Sequence, residues 1–129
     1  MTKLQQSFKN LERSFQSLKR AVATPPIEER DYAGIIQSFE FVYELTWQTL
    51  KILLESNGIK SPFPRITFEE AFKRDLIEGN EVWKLIMDAR NKTSHTYDQK
   101  LAVSLCKEIT ENYITIFEKT IEKVKSQCS

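Results

Sequence analysis

Histidine, glycine and cysteine are all scarce in this chain of 129 residues. One histidine and two cysteines, Cys106 and Cys128, leave no ligand set for zinc, and two thiols without a CxxC pair are typical of a reducing cytoplasm. The three glycines are isolated, so the chain has no phosphate-binding loop of the GxGxxG or GxxxxGK type. We therefore predict neither a bound metal nor a cofactor, and we exclude a nucleotide-binding α/β enzyme.

Long apolar runs and an excess of one charge are missing as well. No stretch approaches 18 apolar residues, and the N-terminus lacks the apolar centre of a secretory signal, so we expect a cytoplasmic protein without membrane contact. Lys plus Arg is 19 and Asp plus Glu is 18, so any nucleic-acid contact must be a local patch. Five cations against one carboxylate in the first twenty residues are interpreted as the solvated face of a helix.

The spacing of apolar residues predicts helices throughout. Leu4 begins a series at steps of three and four that reaches Val22, and the prolines that follow end this first helix. A second, longer stripe begins near Asp31 and stops at Gly58. No alternating β-branched run and no Asn-Gly turn competes with these patterns.

Capping residues divide the second half of the chain. Thr67 with Glu70 predicts a capping box for a short third helix that Gly79 ends. Asn80 is expected to cap the fourth helix, and Asp98 to cap one long final helix.

These elements predict a single all-α domain over residues 1–129, an antiparallel up-and-down bundle of four to five helices. Trp47 and Trp83 are expected to anchor its core. Cys106 is predicted to be a small packing residue on the buried side of the last helix.

The polar stretch RNKTSHTYD, residues 90–98, contains the only histidine. Arg90 and His95 are five residues apart, a rotation of about 140° on an ideal helix, so they converge only if the helix ends between them. Thr93, Ser94 and Thr96 favour such an end because their hydroxyls compete for backbone hydrogen bonds.

A helix corner of this kind offers the groups that metal-free RNA cleavage needs. A guanidinium can neutralise the phosphorane, and an imidazole can move protons to and from the ribose and leaving oxygens. On chemistry alone, a histidine that caps the helix or is buried and hydrogen-bonded is the alternative interpretation. Glu40 and Glu44, one turn apart, could likewise serve acid–base chemistry or pair with a basic side chain elsewhere.

The same stretch resembles a known family. RNKTSHTY has the form R-x4-H-x-Y, which is similar to the signature of HEPN-domain proteins. The segments FEFVYELTWQTLKILLESNGI and FEEAFKRDLIEGNEVWKLIMDARNKTSHTYD resemble the branch known as nucleotidyltransferase substrate-binding proteins, and the likeness covers about residues 4–125. Arg65, in the proline-containing loop, departs from the less charged residue expected in this branch.

The resemblance implies a fold, an activity and partners. Members are helical bundles that form homodimers, with two Arg–His motifs facing each other across one cleft, and they are paired with a small nucleotidyltransferase as toxin and antitoxin. It implies that Arg90 holds the phosphate, His95 is the acid–base and Asn91 orients the cleft. From their own chemistry we also assign Ser94 and Glu44 to the substrate-binding cleft. Tyr97 would be the hydroxyl that the partner modifies by AMPylation.

Two function hypotheses from different classes follow. The first is a toxin with metal-independent endoribonuclease activity, neutralised by the partner transferase. The second is a non-catalytic subunit that binds nucleotide or substrate for a two-chain nucleotidyltransferase. The chain itself lacks the Gly-Ser and carboxylate pair of such a transferase. A helical assembly factor with an incidental histidine is the third alternative.

Overall fold

A computed structural model describes residues 1–128, and it contains no strand in that range. The helices, in chain order, are α1 (Lys3–Val22), α2 (Glu29–Ser56), α3 (Pro64–Lys73), α4 (Asn80–Lys92), α5 (Gln99–Glu108) and α6 (Ile114–Lys125). A 3-10 turn, Thr93–His95, follows α4, and a π-helical turn, Ile109–Tyr113, joins α5 to α6. The predicted all-α bundle is thereby confirmed.

Helix α2 is the central element, and α1 lies antiparallel to it. The Ser7 and Thr49 hydroxyl oxygens are 2.7 Å apart, which fixes how the two helices lie alongside each other. Counting the same number of residues along both helices from this contact puts Glu44 and Glu40 at the level of residues 12–16 of α1, since both helices rise by about 1.5 Å per residue. Both glutamates lie on the face of α2 that points away from α1, about 140° and 180° around the helix from Thr49.

The predicted stop at Gly58 is confirmed by its hydrogen bonds. The Gly58 N–H donates to the carbonyl of Glu55 at 3.1 Å, and the Ile59 N–H donates to that of Leu54 at 3.0 Å. Gly58 has φ +81°, a left-handed conformation that glycine adopts without the steric penalty of a Cβ. The pair of bonds is a Schellman motif, which satisfies carbonyls at the end of α2.

The predicted boundaries of α3 and of the start of α4 were wrong. Thr67 lies inside α3 because Pro64, whose fixed φ suits a first helical position, starts the helix earlier. The Thr67 hydroxyl is buried against Ser61 and does not cap. Helix α3 already ends at Lys73, and Gly79, with φ +71°, precedes α4 in place of Asn80.

The predicted last helix is continuous from Gln99 to Lys125 but contains the π-helical turn between α5 and α6. Asp98 caps it as expected, accepting hydrogen bonds from the backbone N–H groups of Lys100 and Leu101 at 3.0 and 3.5 Å. The π-helical turn between α5 and α6 was not predicted, since a single extra residue in a turn leaves only a small change in apolar spacing.

Aromatic side chains from four helices and from the π-helical turn form the centre of the core. Phe39 of α2 is fully buried, with ring centroids 6.1 Å from Tyr113 and 6.0 Å from Phe117. Trp83 of α4 stacks on Phe68 of α3 at 4.4 Å. Trp83 is thus the predicted core anchor. Trp47, the other predicted anchor, is only half-buried at the edge of the core.

No helix within residues 1–128 is long and apolar enough to cross a bilayer.

Two phenylalanines of α2 provide a matched test of this core. Phe39→Ala is expected to lower the free energy of unfolding by about 3–5 kcal/mol, because a fully buried ring is replaced by a cavity. Phe41→Ala, on the same helix but 57% exposed, is expected to change it by less than about 0.5 kcal/mol. Urea unfolding measures both values, and equal losses would contradict the assigned core.

Candidate functional site

Residues 90–98 form a corner between α4 and α5. Helix α4 ends at Lys92, so the helix does end between Arg90 and His95, as the sequence predicted. The Thr93 hydroxyl donates to the carbonyl of Arg90 at 2.7 Å, and the Thr96 hydroxyl donates to that of Thr93 at 2.9 Å. These bonds satisfy carbonyls at the helix end and close the turn that carries His95.

Arg90 is tied to the central helix. Its Nε donates to Glu44 Oε1 at 3.3 Å, and its Nη1 lies 3.7 Å from Glu40 Oε2. Nη1 also donates to the Thr93 hydroxyl at 2.9 Å. Among residues 1–128 the Nη2 group has no hydrogen-bond partner, and the side chain is 32% exposed. The guanidinium is thus held on one side, with donors left over for another ligand.

Glu44 is occupied by contacts within the chain. Its second carboxylate oxygen accepts a hydrogen bond from Trp47 Nε1 at 2.9 Å, while the first accepts from Arg90. Glu40 and Glu44 therefore pair with a basic side chain, which was one of their two predicted roles. This geometry favours a positioning role for Glu44 over the direct substrate contact expected from the sequence.

His95 lies on the surface of the corner. Its imidazole is exposed and makes no hydrogen bond or ion pair with any other residue in 1–128. It is therefore neither a helix cap nor a buried hydrogen-bonded side chain. Tyr97 is 85% exposed, and its ring lies edge-on to the imidazole with the centroids 6.2 Å apart.

The remaining predicted site residues are nearby but do not converge through direct contacts. Asn91 and Ser94 are both exposed, and the Ser94 hydroxyl donates to the Asn91 carbonyl at 3.1 Å. No hydrogen bond joins Arg90 to His95 within the described chain. One chain thus presents a fixed guanidinium and a solvent-facing imidazole on the same corner.

The hydrogen bond that the buried Thr93 hydroxyl accepts from Arg90 was not predicted. A threonine three residues after an arginine at a helix end is the only signal in the sequence, because this spacing brings the two side chains onto one face.

Tyr43, beside Glu44 on α2, forms the buried side of the site. Burial of its phenol, followed by the charge of Glu44, raises the pKa of Tyr43 to about 12, and Arg90 acts in the opposite direction. The phenol therefore stays protonated at neutral pH.

Other candidate chemistry in the chain is structural. Cys106 is buried, as predicted, and its thiol donates to the Tyr32 carbonyl at 3.5 Å. Burial raises the pKa of this thiol to about 11, so it is not an activated nucleophile. Within residues 1–128, no group of three His, Cys, Asp or Glu side chains could hold a metal ion.

An all-α bundle with an R-x4-H-x-Y corner after its fourth helix defines a HEPN-like protein, which confirms the resemblance found in the sequence. The chain belongs to the family described as nucleotidyltransferase substrate binding protein like, whose family model matches residues 6–126. The family is that of a substrate-binding domain associated with a nucleotidyltransferase.

Individual relatives agree with this assignment. A probable ribonuclease HepT from Haemophilus influenzae is 36% identical over 91 residues, which are 66% of this chain and 62% of the relative. The match thus spans less than two thirds of that relative's length. A solved Haemophilus influenzae structure, described as revealing the fold of a substrate-binding domain of a nucleotidyltransferase, has a TM-score of 0.78 at 27% identity and covers 92% of this chain and 98% of that chain.

A Thermus thermophilus protein of known structure has a TM-score of 0.80 at 23% identity, and the match covers 89% of this chain and 98% of that chain. At this identity the likeness shows the shared fold.

A double-mutant cycle tests the contact that holds Arg90. Glu44→Gln and Arg90→Gln, alone and combined, are expected to show a coupling of about 1 kcal/mol, because the pair is only half-exposed and is hydrogen-bonded. The coupling should fall as salt rises. The exposed pair Lys84 and Glu81 on the same helix is the control and should show no measurable coupling. Equal coupling in both pairs in urea unfolding would contradict the assigned geometry.

Proposed function

We propose that this chain is a HEPN-type subunit that acts with a separate minimal nucleotidyltransferase. In this proposal it is a toxin that cleaves RNA without a metal ion, and the partner transferase neutralises it. Arg90 and His95 carry the reaction.

One observation carries the proposal: the imidazole of His95 is exposed and has no hydrogen-bond partner among residues 1–128, and it lies on the same corner as the Arg90 guanidinium, which Glu44 and Thr93 hold. A structural histidine would be buried or hydrogen-bonded, because an unused imidazole on the surface stabilises nothing. An arginine held by Glu44 and Thr93 is oriented before a substrate arrives, so less side-chain entropy is lost on binding.

The chemistry assigned to these groups is a transesterification. His95 takes a proton from the ribose 2′-hydroxyl, whose oxygen attacks the adjacent phosphorus. Arg90 donates through its remaining N–H groups to the phosphorane oxygens and offsets their charge. The bond to the 5′-oxygen breaks, that oxygen gains a proton, and a 2′,3′-cyclic phosphate remains.

The second proton transfer requires a second acid–base group. The chain has one histidine, so we propose a homodimer in which two copies of the corner face one cleft and each supplies an imidazole. The exposed positions of His95, Ser94 and Tyr97 support this arrangement, since none is covered within the chain. Light scattering that gives the mass of one chain at working concentrations would contradict it.

A second candidate function is a subunit that binds nucleotide or substrate for a two-chain nucleotidyltransferase without cleaving RNA. The family description and the related Haemophilus influenzae structure favour it. The same guanidinium would then bind a nucleotide phosphate. The two candidates differ in their dependence on His95, because phosphate binding needs Arg90 alone and cleavage needs both residues.

Inducible expression in bacteria tests the role of the corner. His95→Ala is expected to abolish growth arrest while changing the free energy of unfolding by less than about 0.5 kcal/mol, since the imidazole is exposed. Arg90→Ala is expected to abolish growth arrest at a stability loss of about 1 kcal/mol, because Glu40 and Glu44 lose their partner.

Gln99→Ala is the matched control, an exposed first residue of α5 directly after the corner with no assigned role, and it should remain toxic. Growth arrest by both His95→Ala and the intact chain would favour the binding subunit. A loss of the cooperative thermal transition in His95→Ala would assign that residue a structural role.

We further propose that the partner transferase neutralises the toxin at Tyr97. The phenol is 85% exposed and its ring contacts that of His95, so a nucleoside monophosphate joined to the ring oxygen would lie beside the catalytic groups. The added phosphodiester carries about one negative charge. Arg90 would attract this charge where an RNA phosphate otherwise binds, and like-charge repulsion would keep RNA out.

Co-expression with the transferase tests this modification by intact mass and peptide mapping. The intact chain is expected to gain the mass of one or more nucleotides on Tyr97 and to lose toxicity. A Tyr97→Phe variant should remain toxic in the presence of the partner, because it lacks the acceptor oxygen. Full neutralisation of toxic Tyr97→Phe by the active partner would contradict the proposal. The control is Tyr32→Phe, which changes a half-buried tyrosine outside the corner and should still be neutralised.

A further inference from the structure

The outward face of α1 is basic from Lys9 to Arg20. Lys9, Arg13 and Arg20 fall within about 40° of one another around the helix, on the side opposite the buried Leu11 and Phe15. Gln16 and Ser17 lie between them, and Glu12, at the half-buried edge, is the one carboxylate of α1. We call Lys9, Arg13 and Arg20 the α1 basic row.

The charges of this row are not used within the chain. None of the five cations of α1 forms an ion pair with another residue in 1–128, whereas eight of the fourteen cations elsewhere do so. The Arg20 guanidinium contacts only the Ser17 hydroxyl, at 3.1 Å. A solvated helix face of ordinary composition would mix both signs, as α3 does with Arg65, Glu69 and Glu70.

The row has the character of a polyanion-binding surface. No large apolar side chain of α1 is exposed, although exposed phenylalanines occur on α2 and α3 and before α3. A protein interface would be expected to contain aromatic anchors, and a membrane-binding helix would expose apolar residues beside its basic ones. Charge without apolar contact is typical of binding to a nucleic-acid backbone.

The Arg90 corner itself cannot supply this attraction. Glu40 and Glu44 together exceed the charge of Arg90 by one negative unit, so the corner can orient a phosphate but does not attract a polyanion over a distance. The α1 basic row spans about 16 Å, from the rise of about 1.5 Å per residue. The contact between Ser7 and Thr49 puts the row at the level of Glu40 and Glu44 along the bundle axis. Glu40 lies about 180° around α2 from Thr49, so the row and the Arg90 corner are on different sides of the bundle.

We propose that the α1 basic row binds the phosphate backbone of single-stranded RNA and holds the RNA on the protein, which raises the local RNA concentration for the Arg90 corner. This inference rests on the proposed function, because it takes RNA as the polyanion. The row contacts backbone phosphates only, so it contributes affinity without sequence preference.

The test is RNA binding by the intact chain, measured by fluorescence anisotropy with a labelled RNA whose 2′-hydroxyls are methylated and therefore cannot react. The triple variant Lys9→Gln, Arg13→Gln, Arg20→Gln removes the row while keeping good helix formers. The control variant Lys60→Gln, Lys119→Gln, Lys125→Gln removes the same charge at exposed positions that have no ion pair and do not form one row.

The row variant is expected to lower the affinity at least about tenfold at low salt, and to reduce the slope of log affinity against log salt by about 2, since each single-strand phosphate contact contributes about 0.7. The control variant should change the slope by less than about 0.7. Circular dichroism and light scattering of both variants should match the intact chain.

An affinity and slope of the row variant equal to those of the control would overturn the inference while leaving the proposed function standing. The inference would also be overturned if the row variant still bound RNA but no longer bound the nucleotidyltransferase. The row would then be a binding surface for that protein. If the intact chain shows no salt-dependent RNA binding at all, both the proposed function and this inference fail.

Discussion

The contact between Arg90 and helix α2 determines the arrangement of the site. It joins the last turn of α4 to the central helix through Glu44, and Trp47 fixes the other oxygen of the same carboxylate. Because Arg90 is held in place just before α4 ends, the position of the following turn relative to α2 is fixed. His95 and Tyr97 are therefore presented on the surface by a corner that is anchored at one end by Arg90 and at the other by the Asp98 cap.

The residues that orient a phosphate at the corner are not the residues that would attract a polyanion over a distance. Two carboxylates hold the guanidinium and together exceed its charge by one negative unit, so the proposed function requires that long-range attraction of RNA come from elsewhere on the protein. The guanidinium is held by neighbouring side chains, whereas the exposed imidazole has only the Tyr97 ring beside it among residues 1–128. Such a pair of groups fits a reaction in which one residue positions a phosphate and the other moves protons.

Much of this could be predicted from the sequence because helix periodicity and the R-x4-H spacing are local signals. The helix end after Lys92, the Gly58 stop and the Asp98 cap were all predicted from local residues. Thr67, Gly79 and Asn80 each fit a capping pattern that the structure does not use. Pro64 starts α3 and Ser61 contacts the Thr67 hydroxyl, whereas Gly79 precedes α4 and Asn80 is the first residue of that helix. The sequence left two roles open for Glu40 and Glu44, acid–base chemistry or pairing with a basic side chain. It could not decide between them, because Arg90 is 46 and 50 positions away from these residues and only the fold brings the three together.

The central claim is that Arg90 and His95 cleave RNA by transesterification without a metal ion. The most direct measurement is to incubate the purified chain with a labelled RNA in the presence of a chelator and to determine the chemistry of the new ends. We predict 2′,3′-cyclic phosphate and 5′-hydroxyl ends from the intact chain and no product from His95→Ala. Strict dependence on added magnesium, 5′-phosphate ends, or equal cleavage by His95→Ala would contradict the account.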